Sequence, residues 1–302
     1  MSQRGWDAAD IPEQTGRVAV ITGANSGLGY QAARYLAGSG AAVVLAGRDP
    51  GRITAARDRL LDQVAGASLD TVALDLASLE SVREAAAEIR ARYPRLDLLI
   101  NNAGVMMPPR GQTADGFELQ LGTNHLGHFA LTGLVLPSLL EVVGSRVVTV
   151  SSNGHKVGRI DFTDLHSERR YNRVTAYGRS KLANLLFTYE LQRRLGQAGA
   201  ATIAVAAHPG TSDTDLVRHL PGWVQAASRL APSQDAAHGA LSTMRAAADP
   251  TAAGGDYYGP SGLGEFSGPP VRVRSSARSR DEWVQKRLWA VSEQLTGVSF
   301  PV

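Results

Sequence analysis

The chain has 302 residues, of which 43% are hydrophobic and 20% charged, and this composition is typical of a globular domain with a substantial core. Its formal net charge is only +3, and the arginines are interspersed with acidic residues, which argues against a nucleic-acid-binding protein. No cysteine is present, so disulfides, thiolate catalysis and cysteine-ligated zinc or iron–sulfur centres are excluded.

The sequence contains no segment that predicts a membrane span. The longest apolar stretch, residues 131–143, is interrupted by Gly133, Pro137, Ser138 and Glu141, and a span needs a run of about 18 apolar residues. Residues 1–16 are polar and lack the apolar core of a secretory signal. We therefore expect a cytoplasmic protein.

Short aliphatic runs alternate with longer amphipathic segments, which is the pattern of parallel strands joined by crossover helices. The elements predicted in chain order are strand 17–22, helix 28–37, strand 41–46, helix 52–64, strand 68–74, helix 79–93, strand 96–101, helix 116–140, strand 145–151, helix 176–195, strand 201–207, helix 233–248 and helix 280–295. This order predicts an α/β fold, namely a single-domain Rossmann-type doubly wound parallel sheet of six to seven strands with helices on both faces. The glycine- and proline-rich residues 254–270 are expected to form an ordered surface excursion.

The first motif is a glycine-rich turn at residues 22–29, between the first predicted strand and the first predicted helix. Gly23 lets the chain turn tightly off the strand, Gly27 lets the backbone approach a pyrophosphate, and Gly29 lets helix and strand pack closely. The alternative is a tight loop that binds no ligand. The strand–turn–helix context favours a dinucleotide site, with candidate contacts at Gly23, Asn25, Ser26, Gly27, Leu28 and Gly29.

Three motifs in this order resemble those of the short-chain dehydrogenase/reductase family. They are T-G-x-x-x-G-x-G at 22–29, N-N-A-G at 101–104 and Y-x-x-x-K at 177–181. The resemblance runs from about residue 17 to the C-terminus. It implies an oxidoreductase that uses a nicotinamide cofactor.

The end of the second predicted strand indicates which nicotinamide cofactor is preferred. NAD enzymes place a carboxylate there to bind the ribose 2′-hydroxyl, whereas this chain has Gly47 followed by Arg48, whose guanidinium can pair with a 2′-phosphate. We therefore expect NADP, with NAD less favoured. Two alternatives stay open: Arg48 is an ordinary exposed arginine, or the strand ends one residue later and brings Asp49 to the ribose.

The resemblance also implies further cofactor contacts beyond the glycine-rich turn. Asp75 and Leu76 should border the adenine, although a helix cap would also explain Asp75. The ribose contacts would be Asn101, Ala103 and Gly104, which read alternatively as a simple turn. The nicotinamide end would be held by Pro209, Gly210, Thr211 and Thr214.

Tyr177 and Lys181 are four residues apart on a predicted helix and therefore share a face. A neighbouring ammonium favours the phenolate, so we expect it to lower the pKa of the tyrosine from about 10 towards the range of a general acid or base. The same pattern is common on solvated helix faces, and its place after the cofactor motifs favours catalysis.

The resemblance implies two further catalytic residues, and a second role for Tyr177 and Lys181. Ser152, the second serine at the end of the fifth predicted strand, would hold the substrate oxygen. Asn124 would hold a water that links Lys181 to solvent, whereas without the resemblance it reads as a satisfied polar group of a helix. Tyr177 and Lys181 would also contact the cofactor, the lysine through the nicotinamide ribose.

Residues 153–175 separate Ser152 from Tyr177 by more than the family's shortest versions do, which predicts an insertion. With the C-terminal pattern, this segment resembles the retinol-dehydrogenase-like branch, which includes relatives of protochlorophyllide reductase. That resemblance implies a lipophilic alcohol or carbonyl substrate. The apolar residues at 211–232 predict either a lid that closes over this substrate or an ordinary packed helix, and both alternatives stay open. Two other functions stay open: reduction of a carbon–carbon double bond with Tyr177 as proton donor, and NADP sensing without turnover.

The sequence thus predicts one NADP-binding oxidoreductase domain over 1–302. Its parts are an N-terminal extension at 1–15, the insertion at 153–175, the lid at 211–232, and a C-terminal excursion and helix at 254–302. No histidine has a spacing to acidic residues that predicts a metal site. The expected partner is a lipophilic small molecule, with no nucleic acid, and a homo-oligomer is compatible with the sequence.

Overall fold

The computed structural model describes residues 4–211 and 234–302. Within them the strands are β1 (Val18–Thr22), β2 (Ala42–Gly47), β3 (Ser68–Ala73), β4 (Leu98–Asn101), β5 (Arg146–Val150), β6 (Ile203–Ala207), β7 (Tyr257–Pro260) and β8 (Pro270–Arg272). The helices are α1 (Gly27–Gly38), α2 (Pro50–Gln63), α3 (Leu79–Arg92), α4 (Leu119–Leu121), α5 (Gly127–Val135), α6 (Arg173–Gln197), α7 (Ala236–Ala248) and α8 (Glu282–Thr296). A π-helical turn, Gly122–Leu126, joins α4 to α5. Short 3₁₀ turns lie at Ala8–Asp10, Leu136–Ser138, Asn153–Val157, Leu263–Glu265 and Ala277–Arg280.

The strands form one sheet in the order β3-β2-β1-β4-β5-β6-β7-β8. All neighbouring strands are parallel except β7 and β8, which are antiparallel. The strand order reverses between β1 and β4, because the chain runs outwards from β1 to β3 and then returns to the other side of β1. The predicted doubly wound α/β fold is confirmed, and the reversal marks the crevice where such sheets bind ligands, at the carboxyl ends of the strands.

Alternate residues of the central strands point to opposite faces of the sheet and feed two apolar layers. Val20 and Val44 contribute to the layer that includes side chains of α3, α5, α6 and α8. Ile21 and Leu45 contribute to the layer that includes side chains of α1, α2 and α7. Burial on both faces explains the almost continuously apolar sequence of these strands. Because packing on both faces holds the strands in place, it also determines where the strand ends that carry the candidate site lie.

The continuous helix predicted at 116–140 is wrong. Gly116 has φ +84° and so lies outside the helical region. A side chain at Gly127 would overlap the backbone carbonyl of Leu76, so the start of α5 packs closely against the segment that follows β3. The π-helical turn accommodates an extra residue within this segment. After α5 the chain tightens into a 3₁₀ turn around Pro137, whose nitrogen has no hydrogen to continue an α-helix.

Residues 254–270 form the predicted surface excursion only in part, because the same segment also contributes strands to the sheet. Tyr257 and Tyr258 are buried in β7, which pairs with Ala206 and Ala207 of β6, and the chain then turns back as β8. The sheet therefore has eight strands among the described residues, against the expected six to seven. The strand signal was hidden because β7 is only four residues long and lies among glycines and prolines.

Helix α6 begins at Arg173, earlier than the predicted start at 176. The Asn172 side chain caps it, since its oxygen accepts hydrogen bonds from the backbone N–H groups of Val174 and Thr175 at 3.0 and 3.1 Å. Tyr177 thus lies inside a well-formed turn rather than at a frayed helix end.

Among the helices of the described residues, none combines enough length with enough apolar character to cross a bilayer.

Candidate active site

A cavity of about 350 Å³ opens at the carboxyl ends of the strands, at the switch point between β1 and β4. The glycine-rich turn, the end of β2 and the segments after β3 and β4 form its walls. It is lined by Thr22, Gly23, Asn25, Ser26, Gly27, Leu28, Gly29, Ala46, Gly47, Arg48, Leu74, Asp75, Leu76, Asn102, Ala103, Gly104, Val105, Met106, Pro108 and Thr123. Most of the cofactor contacts proposed from the sequence are therefore brought to one surface.

The glycine-rich turn has the shape that a phosphate cradle needs. Gly23 has φ +67° and Gly27 φ +55°, a region of backbone conformation that glycine enters without strain. A side chain at Gly29 would overlap the carbonyl oxygen of Gly23, so α1 can pack this closely only because residue 29 is glycine. Ser26 stands at the N-cap of α1 without making a side-chain cap bond. Backbone N–H groups at this positive helix end remain available to an anion, and the turn fits a dinucleotide pyrophosphate.

At the end of β2, the structure separates the roles of Gly47, Arg48 and Asp49. Gly47 is buried against Ile53, because a Cβ built there would lie 2.9 Å from the Ile53 side chain. The Asp49 carboxylate caps α2 by accepting a hydrogen bond from the Arg52 N–H at 3.1 Å. Arg48 is exposed, lines the cavity and has no acidic partner among residues 4–211 and 234–302. Among the described residues that line this wall, Arg48 is the only cation.

The segments after β3 and β4 form the opposite wall. Asp75 lines the cavity while its carboxylate accepts a hydrogen bond from the Ala77 N–H at 2.9 Å, so it also caps the turn that leads to α3. Ala103 and Gly104 lie on the cavity surface. Asn101 does not line it; this side chain is fully buried in β4 and donates to the Thr132 hydroxyl at 2.9 Å.

Sequence reasoning missed Thr22 and Asn102, which hold this wall together. The Thr22 hydroxyl accepts hydrogen bonds from the N–H groups of Asn102 and Ala103, each at 2.9 Å, and the Asn102 amide donates to the Thr22 carbonyl at 2.8 Å. His128 lies behind Thr22, with its Nε2 2.8 Å from the hydroxyl. Both residues belong to the motifs at 22–29 and 101–104, and this was the only indication of their importance in the sequence. Their contact could not be predicted, because it depends on the pairing of β1 with β4.

Ser152, Tyr177 and Lys181 converge beside the cavity. A Cβ at Gly154 would lie 3.1 Å from the Tyr177 ring and 3.5 Å from the Ser152 hydroxyl, so these two side chains flank the same glycine. The Lys181 ammonium donates to the Val150 carbonyl at 3.1 Å and lies 5.8 Å from the centre of the Tyr177 ring. A phenol, a hydroxyl and an ammonium are thus collected in one place, as the sequence predicted.

Burial controls the ionisation of this group. It raises the pKa of Tyr177 above its ordinary value, and the hydrogen bond with Ser152 acts in the opposite direction. The expected lowering of the tyrosine pKa by Lys181 is therefore not the dominant effect in this structure. Burial also lowers the pKa of Lys181 to about 8, so the ammonium still predominates at neutral pH. The arrangement presents a protonated phenol that can act as an acid.

The Asn124 side chain is hydrogen-bonded to the protein backbone and to a neighbouring side chain. Its amide oxygen accepts from the Val105 N–H at 2.7 Å, and its amide nitrogen donates to the Val105 carbonyl at 3.0 Å and to the Ser180 hydroxyl at 2.9 Å. Ser180 in turn donates to the Tyr177 carbonyl at 2.8 Å. Asn124 thus ties the cavity wall at Val105 to the helix that carries Tyr177.

Ser151 has a structural contact distinct from that of Ser152. Its hydroxyl donates to the Lys181 carbonyl at 2.8 Å, which fastens α6 to the end of β5. The Ser152 hydroxyl accepts from the Gly154 N–H at 3.1 Å and interacts with the Tyr177 phenol, so it belongs to the reactive group and not to the attachment of α6.

The proposed nicotinamide turn follows β6. Gly210 has φ +69°, and the Thr211 N–H donates to the Phe266 carbonyl at 2.9 Å. Thr214 and the predicted lid at 211–232, apart from Thr211 itself, lie outside the described residues. Within the described ranges, no three histidine, aspartate or glutamate side chains are grouped closely enough to hold a metal ion.

Known proteins are similar to this chain in both sequence and architecture. Residues 17–225 match the family model described as short chain dehydrogenase. The chain is 42% identical over 295 residues to polyprenol dehydrogenase of Mus musculus, covering 95% of this chain and 86% of that protein. It is 40% identical over 303 residues to retinol dehydrogenase 13 of Homo sapiens, covering 97% and 87% respectively. The crystal structure of an uncharacterized protein from Mycobacterium paratuberculosis matches with a TM-score of 0.84 at 44% identity, covering 99% of this chain and all of that one. The chain therefore belongs to the short-chain dehydrogenase/reductase family and is an oxidoreductase of its retinol-dehydrogenase-like branch.

Proposed function

We propose that the protein is an NADP-dependent oxidoreductase that transfers hydride between the nicotinamide and a lipophilic alcohol or carbonyl compound. The observation that carries this proposal is the convergence of Tyr177, Ser152 and Lys181 beside a nucleotide-shaped cavity. A Cβ built at Gly104, on the cavity wall, would lie 3.6 Å from the Lys181 ammonium, which links the two features.

The preference for NADP is supported by the end of β2. Arg48 places on the cavity surface a guanidinium that has no acidic partner among the residues that the structure describes, and a 2′-phosphate is the group of NADP that would pair with it. No carboxylate competes at Gly47, and Asp49 is committed to the cap of α2. NAD would leave Arg48 without an anionic partner.

A lipophilic substrate is supported by the relatives and by the lining of the cavity. The relatives are named for polyprenol and retinol, which are both long apolar alcohols. Val105, Met106 and Pro108 extend an apolar wall from Gly104 along the cavity. Such a wall suits an apolar substrate next to a small number of polar groups that act on its oxygen.

A bound nicotinamide supplies the hydride in reduction and accepts it in oxidation. Ser152 would donate a hydrogen bond to the substrate oxygen and hold it beside the phenol. Tyr177, protonated because of its burial, would give its proton to that oxygen during reduction and take it back during oxidation. Lys181 would stabilise the phenolate left after proton transfer.

Substitution Tyr177→Phe tests this function. The parent and the variant would be assayed with NADPH and a panel of apolar aldehydes and ketones, and with NADP⁺ and the matching alcohols. We expect kcat to fall by roughly 10²-fold to 10⁴-fold, while the Kd for NADPH stays within about threefold, because only the proton donor is removed.

Tyr189→Phe is the matched control for that experiment. It makes the same chemical change on the same helix, where the phenol donates to the Ser275 hydroxyl at 2.8 Å. Its kcat should stay near that of the parent. If Tyr177→Phe retained turnover, the proposed function would be overturned. The assay does not address cytoplasmic residence or the formation of a homo-oligomer, which stay predictions.

A further inference from the structure

The turn proposed to hold the nicotinamide is pressed against a loop from the C-terminal part of the chain. This loop, residues 261–268, connects β7 to β8. Besides the bond from the Thr211 N–H to the Phe266 carbonyl, a side chain at Gly210 would overlap that same carbonyl. The loop therefore determines where the backbone of the turn can lie.

His208 connects the turn to the loop from inside the protein. Its side chain is fully buried, and its Nδ1 accepts a hydrogen bond from the Gly210 N–H at 3.3 Å. A neutral imidazole that accepts at Nδ1 must carry its hydrogen on Nε2. Burial lowers the pKa of His208, which favours this neutral form.

Nε2 faces a carboxylate of the loop. It lies 3.0 Å from Oε2 of Glu265 in a contact whose geometry falls short of a regular hydrogen bond, and neither buried atom has a regular hydrogen bond to any atom of the described residues. The other carboxylate oxygen lies 3.4 Å from the Lys156 ammonium. Two buried polar atoms that have only each other are costly to separate.

Glu265 holds this position at the expense of backbone strain. Its φ is +59°, in the left-handed region that residues with a side chain rarely adopt. Such conformations are strained and persist where the surroundings enforce them, often at functional sites.

The loop also reaches the other side of the reaction centre. The Asn153 amide donates to the carbonyls of Gly264 and Glu265 at 3.1 and 3.3 Å. Asn153 directly follows Ser152, the proposed partner of the substrate oxygen. One short loop thus contacts both the serine side of the site and the turn after β6.

We propose that Glu265 is a positioning residue that acts through His208 to fix the turn at Pro209–Thr211 for the nicotinamide half of the cofactor. This inference rests on the proposed function, which assigns that turn to the nicotinamide. It predicts that Glu265 contributes to binding of the complete dinucleotide and not to binding of its adenosine half, which lies towards Arg48.

The test compares two ligands that differ by the nicotinamide half. The Kd values of NADPH and of adenosine 2′,5′-bisphosphate are measured by fluorescence or calorimetric titration for the parent, Glu265→Leu and Glu265→Gln. Glu265→Leu should weaken NADPH about tenfold and leave adenosine 2′,5′-bisphosphate within about twofold, because it removes the acceptor that faces His208. Glu265→Gln retains a carbonyl acceptor and should bind NADPH within about threefold of the parent.

Leu263→Ala is the control, since Leu263 belongs to the same loop and is 96% exposed. It should change neither Kd, and thermal unfolding would verify that all variants are folded. The proposal is overturned if Glu265→Leu binds NADPH like the parent, if both ligands weaken equally, or if Glu265→Gln is as impaired as Glu265→Leu.

Failure of the proposed function would appear separately, in the parent. A parent that binds neither NADPH nor NADH would remove the cofactor site and the positioning role with it. A parent that prefers NADH would overturn only the choice of NADP, and the same ratio measured with NADH and ADP would then decide the role of Glu265.

Discussion

Arg48 is the residue at which cofactor choice should be decided. Its guanidinium is exposed on the cavity wall, whereas the carboxylate of Asp49 is occupied by the cap of α2. The sequence alone left these two residues as competitors because a shift of one position at the strand end exchanges their roles. The structure gives a reason for the arrangement, since α2 starts with Pro50 and needs an acceptor at the residue before it.

Arg48→Ala should weaken NADPH by about 10-fold to 100-fold and change NADH by less than about threefold, because only NADPH brings a 2′-phosphate to be paired. Both Kd values would be measured by titration of nicotinamide fluorescence. Arg52→Ala is the control, since Arg52 is also exposed and lies 3.6 Å from the Asp49 carboxylate but does not line the cavity. Equal losses for the two cofactors would exclude Arg48 as the phosphate contact.

The structure brings most of the motif residues together at one end of the sheet, whereas their individual contacts could not be predicted from the sequence. Ser151 and Ser152 are adjacent and chemically identical, yet one fastens α6 and the other faces Tyr177. Asn101 and Asn102 divide in the same way between the interior and the cavity. The alternating direction of side chains along a strand separates such neighbours, and its phase depends on strand pairing.

At the scale of elements, the π-helical turn and the first turn of α5 each carry a buried histidine. His125 lies 2.9 Å from the Ser292 hydroxyl, and His128 donates through Nδ1 to the Asn124 carbonyl at 2.9 Å. Burial lowers the pKa of His125 to about 3 and that of His128 to about 4, from an ordinary value of 6.5. Both side chains are therefore neutral in the folded protein over the whole physiological range.

The free energy of unfolding should consequently fall as the pH decreases from about 6.5 towards 4. The unfolded chain takes up protons at these histidines below about 6.5, and the folded chain does not, so each contributes a loss of roughly 1.4 kcal/mol per pH unit. His125→Phe should remove one such contribution and fits the neighbouring rings of Phe129 and Phe187. The measurement is urea unfolding at several pH values.

Ser292→Ala serves as the control for the acid experiment, because it removes the partner of His125 and leaves the imidazole to titrate. It should keep the slope of the parent even if the protein is less stable at every pH. A slope unchanged in His125→Phe would show that other groups dominate acid unfolding.

The errors in predicting elements have a common physical origin. Periodicity identified the long strands and helices because each buries a full face, as β1, β2 and α3 do. It merged the segments between 116 and 140, where close packing of glycines and a π turn interrupt a continuously apolar stretch. It missed β7 and β8, whose few residues acquire strand geometry only by pairing with β6, far away in the sequence.

For the whole molecule, an aromatic cluster attaches the last residues of the chain to the core. The Phe300 ring centre lies 4.4 Å from that of Trp289 and 4.8 Å from that of Phe129, and the Phe187 ring stacks on Trp289 with 5.8 Å between ring centres. The cluster joins α5, α6 and α8 to the C-terminal tail. Because the cluster lies on the face away from the glycine-rich turn, we expect it to contribute to stability and not to catalysis.

Phe300→Ala should lower the free energy of unfolding by roughly 2–3 kcal/mol, because it leaves a gap against two buried rings. Equilibrium urea unfolding measures this loss, and kcat per folded molecule should be unchanged. Val143→Ala, at a position that is 88% exposed, should cost less than about 0.5 kcal/mol. A loss of activity in the folded Phe300 variant would contradict a purely stabilising role.

The position of Glu265 near the end of the chain has a consequence for biosynthesis. The described residues that line the cavity lie between 22 and 123 and are synthesised long before the loop that carries Glu265. The contact that orients the turn at 209–211 is made only after β7 and this loop have been synthesised. A chain truncated before β7 would therefore lack this contact even though it contains every described residue of the cavity lining.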